Sequence, residues 1–364
     1  MNLGMDAPGS SRPLPATTPA PIGALAFATA LVVAGGAGVI AADTAAVRST
    51  SVGVPPRPAV AAPITAPEPL PRLLSETGFS DANPRRFAYT PEYPLWSDGA
   101  TKRRFFALPE GKTIDASQPD DWALPVGTRF WKEFTFAGKR VETRFSEKQS
   151  DGSFRFAAYV WDDALGDGVL APEAGRPGVQ QLAPGVAHDV PSRSDCHACH
   201  DGRRSQVLGF GALQLSSELR QLVLRGLLKN LPDALLETPP GIPAASDSAR
   251  AALGYLFGNC SGCHNASGPL ADLGLDFDQR VTGAQANPPS WLGASRFHLP
   301  GEQHSVRIKP GAPQASAVWF RMSRRDGNSQ MPPLGSKLVD HAGSDLVAHF
   351  ITHDLLDYRL NQGK

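Results

Sequence analysis

The chain has no surplus of charge of either sign: 35 lysines and arginines stand against 35 aspartates and glutamates in 364 residues. Without a basic excess there is nothing to hold a phosphate backbone, which argues against nucleic-acid binding. No Ser-His-Asp order, phosphate-binding loop or paired carboxylate occurs, so neither hydrolytic nor nucleotide chemistry is indicated. Glycine (36) and proline (34) make up about a fifth of the chain, below the roughly 25–30% that marks low-complexity disorder. With 41% hydrophobic residues the body can form cores, and the length allows two or three domains. Sulfur is scarce. There are four methionines and four cysteines, and the cysteines fall in two pairs, Cys196 with Cys199 and Cys260 with Cys263.

From Ile22 to Ala42 the chain reads IGALAFATALVVAGGAGVIAA, 21 residues without a charge. This is a membrane-targeting segment, either a signal peptide cleaved near its Ala-rich end or a retained anchor. Residues 1–49 are assigned to it, and export follows in both cases. Residues 50–71 carry seven prolines among small residues and read as an extended tether.

Between 72 and 190 the period is two. Phe130, Lys132, Phe134 and Phe136 alternate with Trp131, Glu133 and Thr135, and the pattern resumes after Ala137-Gly138 and after Asp151-Gly152. This predicts an antiparallel all-β domain with tight hairpins. Past residue 190 apolar residues recur at helical spacing: Leu215, Leu219, Leu222, Val223 and Leu227; then Leu253, Leu256, Phe257 and Cys260 behind a cap at Ser246 or Asp247; then Leu346, His349, Phe350 and His353. These stripes predict a mainly α region in two parts, 191–245 and 246–364, divided by Pro239, Pro240 and Pro243.

Cys196-His197-Ala198-Cys199-His200 and Cys260-Ser261-Gly262-Cys263-His264 both read C-x-x-C-H, the attachment signature of c-type haem. Thiols three residues apart share a helical face, where each adds to one porphyrin vinyl group, and the next histidine comes under the iron. A pair of redox dithiols would leave both histidines unexplained. A zinc site built from both pairs would have to span 61 positions, beyond the usual ribbon spacing. The expected cofactors are therefore two covalently bound haems, with His200 and His264 as iron ligands.

Met331, in Q-M-P-P-L-G, sits on a loop stiffened by two prolines and is the expected second ligand opposite His264. Met322, in V-W-F-R-M-S, reads as a core residue of a short helix. For the first haem, His188, His298, His304 and an open iron remain alternatives. His197 points off the ligand face. Trp96, Trp122, Trp131 and Trp161 read as core, with a substrate groove or haem cover as the alternative. Asp98 and the pair Arg103-Arg104 read either as a turn with a solvated face or as contacts to a partner or a haem propionate.

Residues 246–364 resemble a class I cytochrome c domain: a helix leads into NCSGCHN, Gly268-Pro269-Leu270 is similar to the glycine-proline loop, and MPPLG to the methionine loop. The resemblance implies that the Pro269 carbonyl accepts a hydrogen bond from His264, and that Gly254 and Phe257 meet Phe350. The runs LSETGFSD, YPLWSDGATKRRFFALPEG, LPVGTRFWKEF, ETRF, YVWDD, PSRSDCHACH and VLGFGALQL extend the resemblance from Leu73 to Asp357. Together they are similar to a largely uncharacterised bacterial family of di-haem c-type cytochromes, domains of which are also joined to quinoprotein sugar dehydrogenases. The expectation is a periplasmic carrier of single electrons, soluble or anchored to the inner membrane, with redox partners that include a quinoprotein dehydrogenase. The His/Met site is expected at the higher potential. A di-haem enzyme with an open first iron, such as a peroxidase, and a binding module that uses the β domain as its surface are the rival readings.

Overall fold

Alternation of large apolar and polar residues makes the first half of the chain a sheet. The computed structural model describes residues 69–202, 205–282 and 288–356. Six strands pair antiparallel in the order β1-β2-β4-β5-β6-β7. They are β1 (Arg86–Tyr89), β2 (Thr101–Ala107), β4 (Arg129–Phe136), β5 (Lys139–Lys148), β6 (Phe154–Asp162) and β7 (Asp167–Leu170). β3 (Ile114–Asp115) lies between β2 and β4 in sequence and pairs with β10 (Leu228–Lys229), while β8 (Arg176–Ala183) and β9 (Val186–Val190) form a separate hairpin. The expected meander is present. Its first turn places Ala137 at φ 47° and Gly138 at φ 82°, both in the left-handed region that a two-residue hairpin needs.

The two faces of the sheet differ. On one, Phe105, Trp131, Phe145, Ala157 and Tyr159 close a small core with Leu74 and Phe79. On the other, Phe106, Phe130, Phe154 and Phe156 form a larger core with Trp122, Phe210, Leu215, Leu219 and Leu222. Each such side chain withdrawn from water contributes about 1.5–3 kcal/mol. Trp122 and Trp131 are thus core residues on opposite faces, and the tryptophans do not line one groove.

The expectation of mainly α haem domains past residue 190 is not met. The helices there are few and short: α1 (Arg193–His200), α2 (Leu219–Leu224), α3 (Ala234–Glu237), α4 (Asp247–Cys260), α5 (Pro288–Trp291), α6 (Ala317–Met322) and α7 (His341–His349), the last running on into a π-helical turn over Phe350–Asp354. Among the described residues only α4 reaches 14 residues. Among the described residues the dominant element is the antiparallel sheet, and they form no helical haem-domain fold. The reason lies in where the apolar stripes are buried. Leu215, Leu219, Leu222 and Leu227 keep their helical spacing, but they pack on sheet phenylalanines, and a chain of turns serves that purpose as well as a long helix. Gly226, at φ 69°, ends the segment just past α2.

α4 is gripped from two sides. At Gly254 and Gly258 the Tyr93 ring and the Tyr93 carbonyl come so close that a Cβ would overlap them, and Asn259 accepts a 2.8 Å hydrogen bond from the Trp96 amide. On its far side Gly343 of α7 lies against the Tyr255 ring. Phe257 packs with Leu213, Ile242 and Tyr93 rather than in the cluster that holds Phe350. Phe350 belongs instead to the core of Leu256, Phe277, Trp291 and Val347. The described residues belong to one compact unit. The targeting segment, nearly all of the tether, and Arg203 and Arg204 lie outside the described residues.

Candidate haem-attachment site

The first motif lies on α1, whose start is set by a reciprocal cap. The Ser192 hydroxyl accepts from the Asp195 amide at 3.1 Å, and the Asp195 carboxylate accepts from the Ser192 amide at 2.9 Å. Cys196, Cys199 and His200 follow within one turn, on one face of this helix. His197 turns aside to bond Asp201 at 2.9 Å. The second motif starts at the last residue of α4, so that Cys260 is helical while Cys263 and His264 lie in the turn beyond it.

The fold brings the two motifs together although 61 positions separate Cys199 from Cys260. The Cys263 thiol lies 3.8 Å from the Ala198 carbonyl, close enough to Cys199 for the two thiols to perturb one another. The Asn265 side chain ties the turns, donating to the Gly202 carbonyl at 3.0 Å and the Ser261 carbonyl at 2.8 Å. Cys196 and Cys260 pack against different apolar cores, so the four sulfurs do not converge. Among the described residues no group of three or more His, Cys, Asp or Glu is arranged to hold a metal ion. All four thiols are free and partly exposed.

Burial governs the acid–base state of the site. It raises the Cys196 thiol, and it lifts Cys260 to about 12 with help from Cys263. Between these neighbouring thiols, each acting on the other's charge, Cys199 is pushed up and Cys263 drawn down to about 7. His200 and His264 both fall to about 4, chiefly because burial disfavours the imidazolium. Both rings are therefore neutral at pH 7, as an iron ligand must be. His200 Nδ1 lies 2.6 Å from the Gln206 carbonyl, which only accepts, so the proton sits on Nδ1 and the Nε2 lone pair is free.

For His264 the implied bond to Pro269 is absent. Its Nδ1 is buried with no hydrogen-bond partner among the described residues. Pro269 instead packs on Gly202 of the first motif's turn, where a Cβ would lie 2.7 Å from its ring. The glycine-proline loop thus serves the seam between the motifs and leaves its own histidine unbraced.

Met331 is half-buried, and its amide donates to the Arg321 carbonyl at 2.9 Å. The guanidinium of Arg321 is near enough to His264 to help depress its basicity, so one residue ties the methionine loop to the second motif. Met322 packs on the core of Leu256 and Val347, as its sequence context implies. His188 is not free to be a ligand: it is 2% exposed, with Nε2 3.0 Å from Glu142 and Nδ1 3.6 Å from Asp98. His298 and His304 are exposed loop residues.

Asp98 is a buried structural anchor. Its carboxylate accepts from the Lys337 and Leu338 amides at 2.7 and 2.9 Å and so fastens the chain just past the methionine loop. Arg103 lies on the opposite face of the sheet, bonded to Glu133 at 2.9 Å.

No family model matches this chain, and neither does any curated protein or solved structure. The reading therefore rests on the residues themselves.

They fit two covalent haems in donor chemistry: reachable free thiols, neutral imidazoles, and one ring already held by a carbonyl. A cavity of about 240 Å³ opens near the second motif, with Phe210, Leu213, Phe257, Asn265, Ser267 and Arg280 in its wall, but no motif cysteine or histidine lines it. Cys196 borders a void of about 10 Å³, room for one water.

Sequence reasoning singled out Arg104 but missed that Lys132 and Arg144 stand beside it next to the first motif. Arg104, Lys132 and Arg144 stand side by side on β2, β4 and β5 and continue to Ala158 on β6. The signal was present in the alternation: all three occupy positions that share a face with Phe106, Phe130 and Phe156, where an apolar residue is expected.

Proposed function

We propose that the chain is an exported di-haem electron carrier, holding one haem through thioethers at Cys196 and Cys199 and another at Cys260 and Cys263. The observation that carries this reading is the meeting of two C-x-x-C-H motifs at one seam, Cys199 against Cys263, which a tandem of independent sites would not require. When bound, haem supplies a one-electron Fe(III)/Fe(II) couple.

The chain's own residues do the rest. His200 and His264 offer neutral imidazole nitrogens, Gln206 orients the first ring, and Met331 is the second ligand at the second site. The charge-free stretch Ile22–Ala42 supports a periplasmic location, soluble or held at the inner membrane. Periplasmic redox partners, a quinoprotein dehydrogenase among them, follow from the family resemblance.

One observation favours a second reading. His188, one of the histidines considered as a second ligand, is locked between two carboxylates, and a first iron left open would suit a di-haem enzyme acting on peroxide or another small molecule. Rapid binding of cyanide or peroxide at one iron selects the enzyme, and no binding at either iron selects the carrier.

Intact mass and visible absorption of the full chain, exported from a cytochrome-maturing host, test both readings together. Two haem increments are expected. A colourless product with four titratable thiols would refute them.

A further inference from the structure

The Arg104, Lys132 and Arg144 side chains form a positively charged row with too little negative charge to balance it. In register across the sheet, Tyr89, Arg104, Lys132, Arg144 and Ala158 make one lateral line. Strands lie about 4.8 Å apart, so Arg104 to Ala158 spans about 14 Å. The line is bounded on one side by Phe106, Phe130 and Phe156 and on the other by Lys102, Phe134 and Glu142.

Arg144 is neutralised by Glu142 at 2.7 Å, and Lys102 donates to the Leu95 carbonyl at 2.7 Å. Arg104, only 7% exposed, and Lys132 have no hydrogen bond or ion pair among the described residues; Lys132 has only the Phe134 ring, 5.0 Å away. Burial and the neighbouring Arg104 and Arg144 charges hold the Lys132 ammonium well below the ordinary lysine value, and a fold retains such a group where an arriving counter-charge restores its proton. Lys132 is crowded by its neighbours yet still partly exposed, so a small solute's charge can reach it.

The row borders the first motif. Phe156, in the next row, touches the His200 ring at 4.8 Å, and Ala158 borders the void at Cys196. Arg144 bears electrostatically on Cys196 and Cys199, and Lys132 on His200.

We infer that Arg104, Lys132 and Arg144 form a carboxylate site that receives the propionate groups of the haem attached at Cys196 and Cys199. The inference rests on the di-haem reading. Guanidinium and ammonium groups are the natural partners of such carboxylates, through charge-assisted hydrogen bonds. A free dicarboxylate shares this chemistry, and the experiment separates the two.

The full-length, haem-loaded chain is compared with Lys132→Met and Arg104→Gln by potentiometric titration, after haem content has been counted by intact mass. The first haem's midpoint is assigned in a chain carrying Cys260→Ser and Cys263→Ser. Losing a cation leaves a propionate charge uncompensated and disfavours the added electron. The expected result is a midpoint for the first haem lower by at least a tenfold change in the reduced-to-oxidised ratio, about 59 mV for one electron, and a shifted propionate bending band in the resonance Raman spectrum. Arg103→Gln, one residue away on the opposite face, should move neither.

Loss of the first haem alone in Lys132→Met, with both retained in Arg103→Gln, also supports the site. If haem is present throughout and Lys132→Met leaves the first midpoint and the propionate band unchanged, the site is refuted while the di-haem reading stands. Absence of haem from the parent chain refutes that reading itself. A parent midpoint that moves on adding succinate, with no such response in Lys132→Met, would assign the row to a free carboxylate and overturn the propionate assignment.

Discussion

Replacing Gly258 with alanine separates a helix that stands alone from one clamped to the sheet. In an isolated helix the change stabilises by about 1 kcal/mol, because glycine has more backbone freedom to lose. Here the added Cβ would lie 3.0 Å from the Tyr93 carbonyl carbon and nearer still to its oxygen. The opposing atoms are backbone, so no side chain can swing clear, and α4 must move away from residues 93–96. Overpacking of this kind costs about 1–3 kcal/mol, and the rigid partner puts Gly258→Ala towards the upper end. Subtracting the helix gain leaves a net loss of about 1–2 kcal/mol. The same movement would stretch the 2.8 Å bond from the Trp96 amide to Asn259, next to Cys260. Urea denaturation of the full chain measures the change as a lower midpoint at constant slope. A midpoint that stays put or rises in Gly258→Ala would show that α4 does not bear on the sheet, and the account of the second motif's position would fall with it.

Met331→Ala should abolish the sulfur-to-iron absorption band of the oxidised holoprotein while leaving two haems by mass; survival of the band would pass the ligand role to Met322. His188 is a pH-dependent clamp. Burial alone would lower its pKa, but its bonds to Asp98 and Glu142 outweigh burial and raise it above 6.5. Its contribution is therefore full below about pH 6.5 and is lost as pH rises through the raised value. Glu142 is held low by Arg144 and His188 in spite of burial, so its share fades only as pH falls through that lowered value. His188→Gln should cost about 2 kcal/mol near pH 6 and progressively less in alkali; a cost that grows from pH 6 to pH 9 would refute this assignment. Ser192→Ala removes the cap of α1 and should lower stability by about 1 kcal/mol, read from the same urea midpoint. No change would mean that the first motif's helix is held by the sheet alone.

Local chemistry was legible from the sequence. The C-x-x-C-H motifs, the cap at Ser246 and the hairpins at Ala137-Gly138 and Asp151-Gly152 each depend on residues within a few positions of one another, where spacing determines what can touch. Period-two alternation identified β4, β5 and β6 for the same reason.

What tertiary structure alone decided is which surfaces meet. Helical spacing at Leu215, Leu219 and Leu222 states that one side is buried but not against what, and burial against sheet phenylalanines turned an expected α region into turns and short helices. The pairing of Cys199 with Cys263, the clamp of Asp98 and Glu142 on His188, and the alignment of Arg104, Lys132 and Arg144 all join residues far apart in the chain. Their geometry follows from strand register and from the close approach at Gly254 and Gly258, which no local pattern encodes.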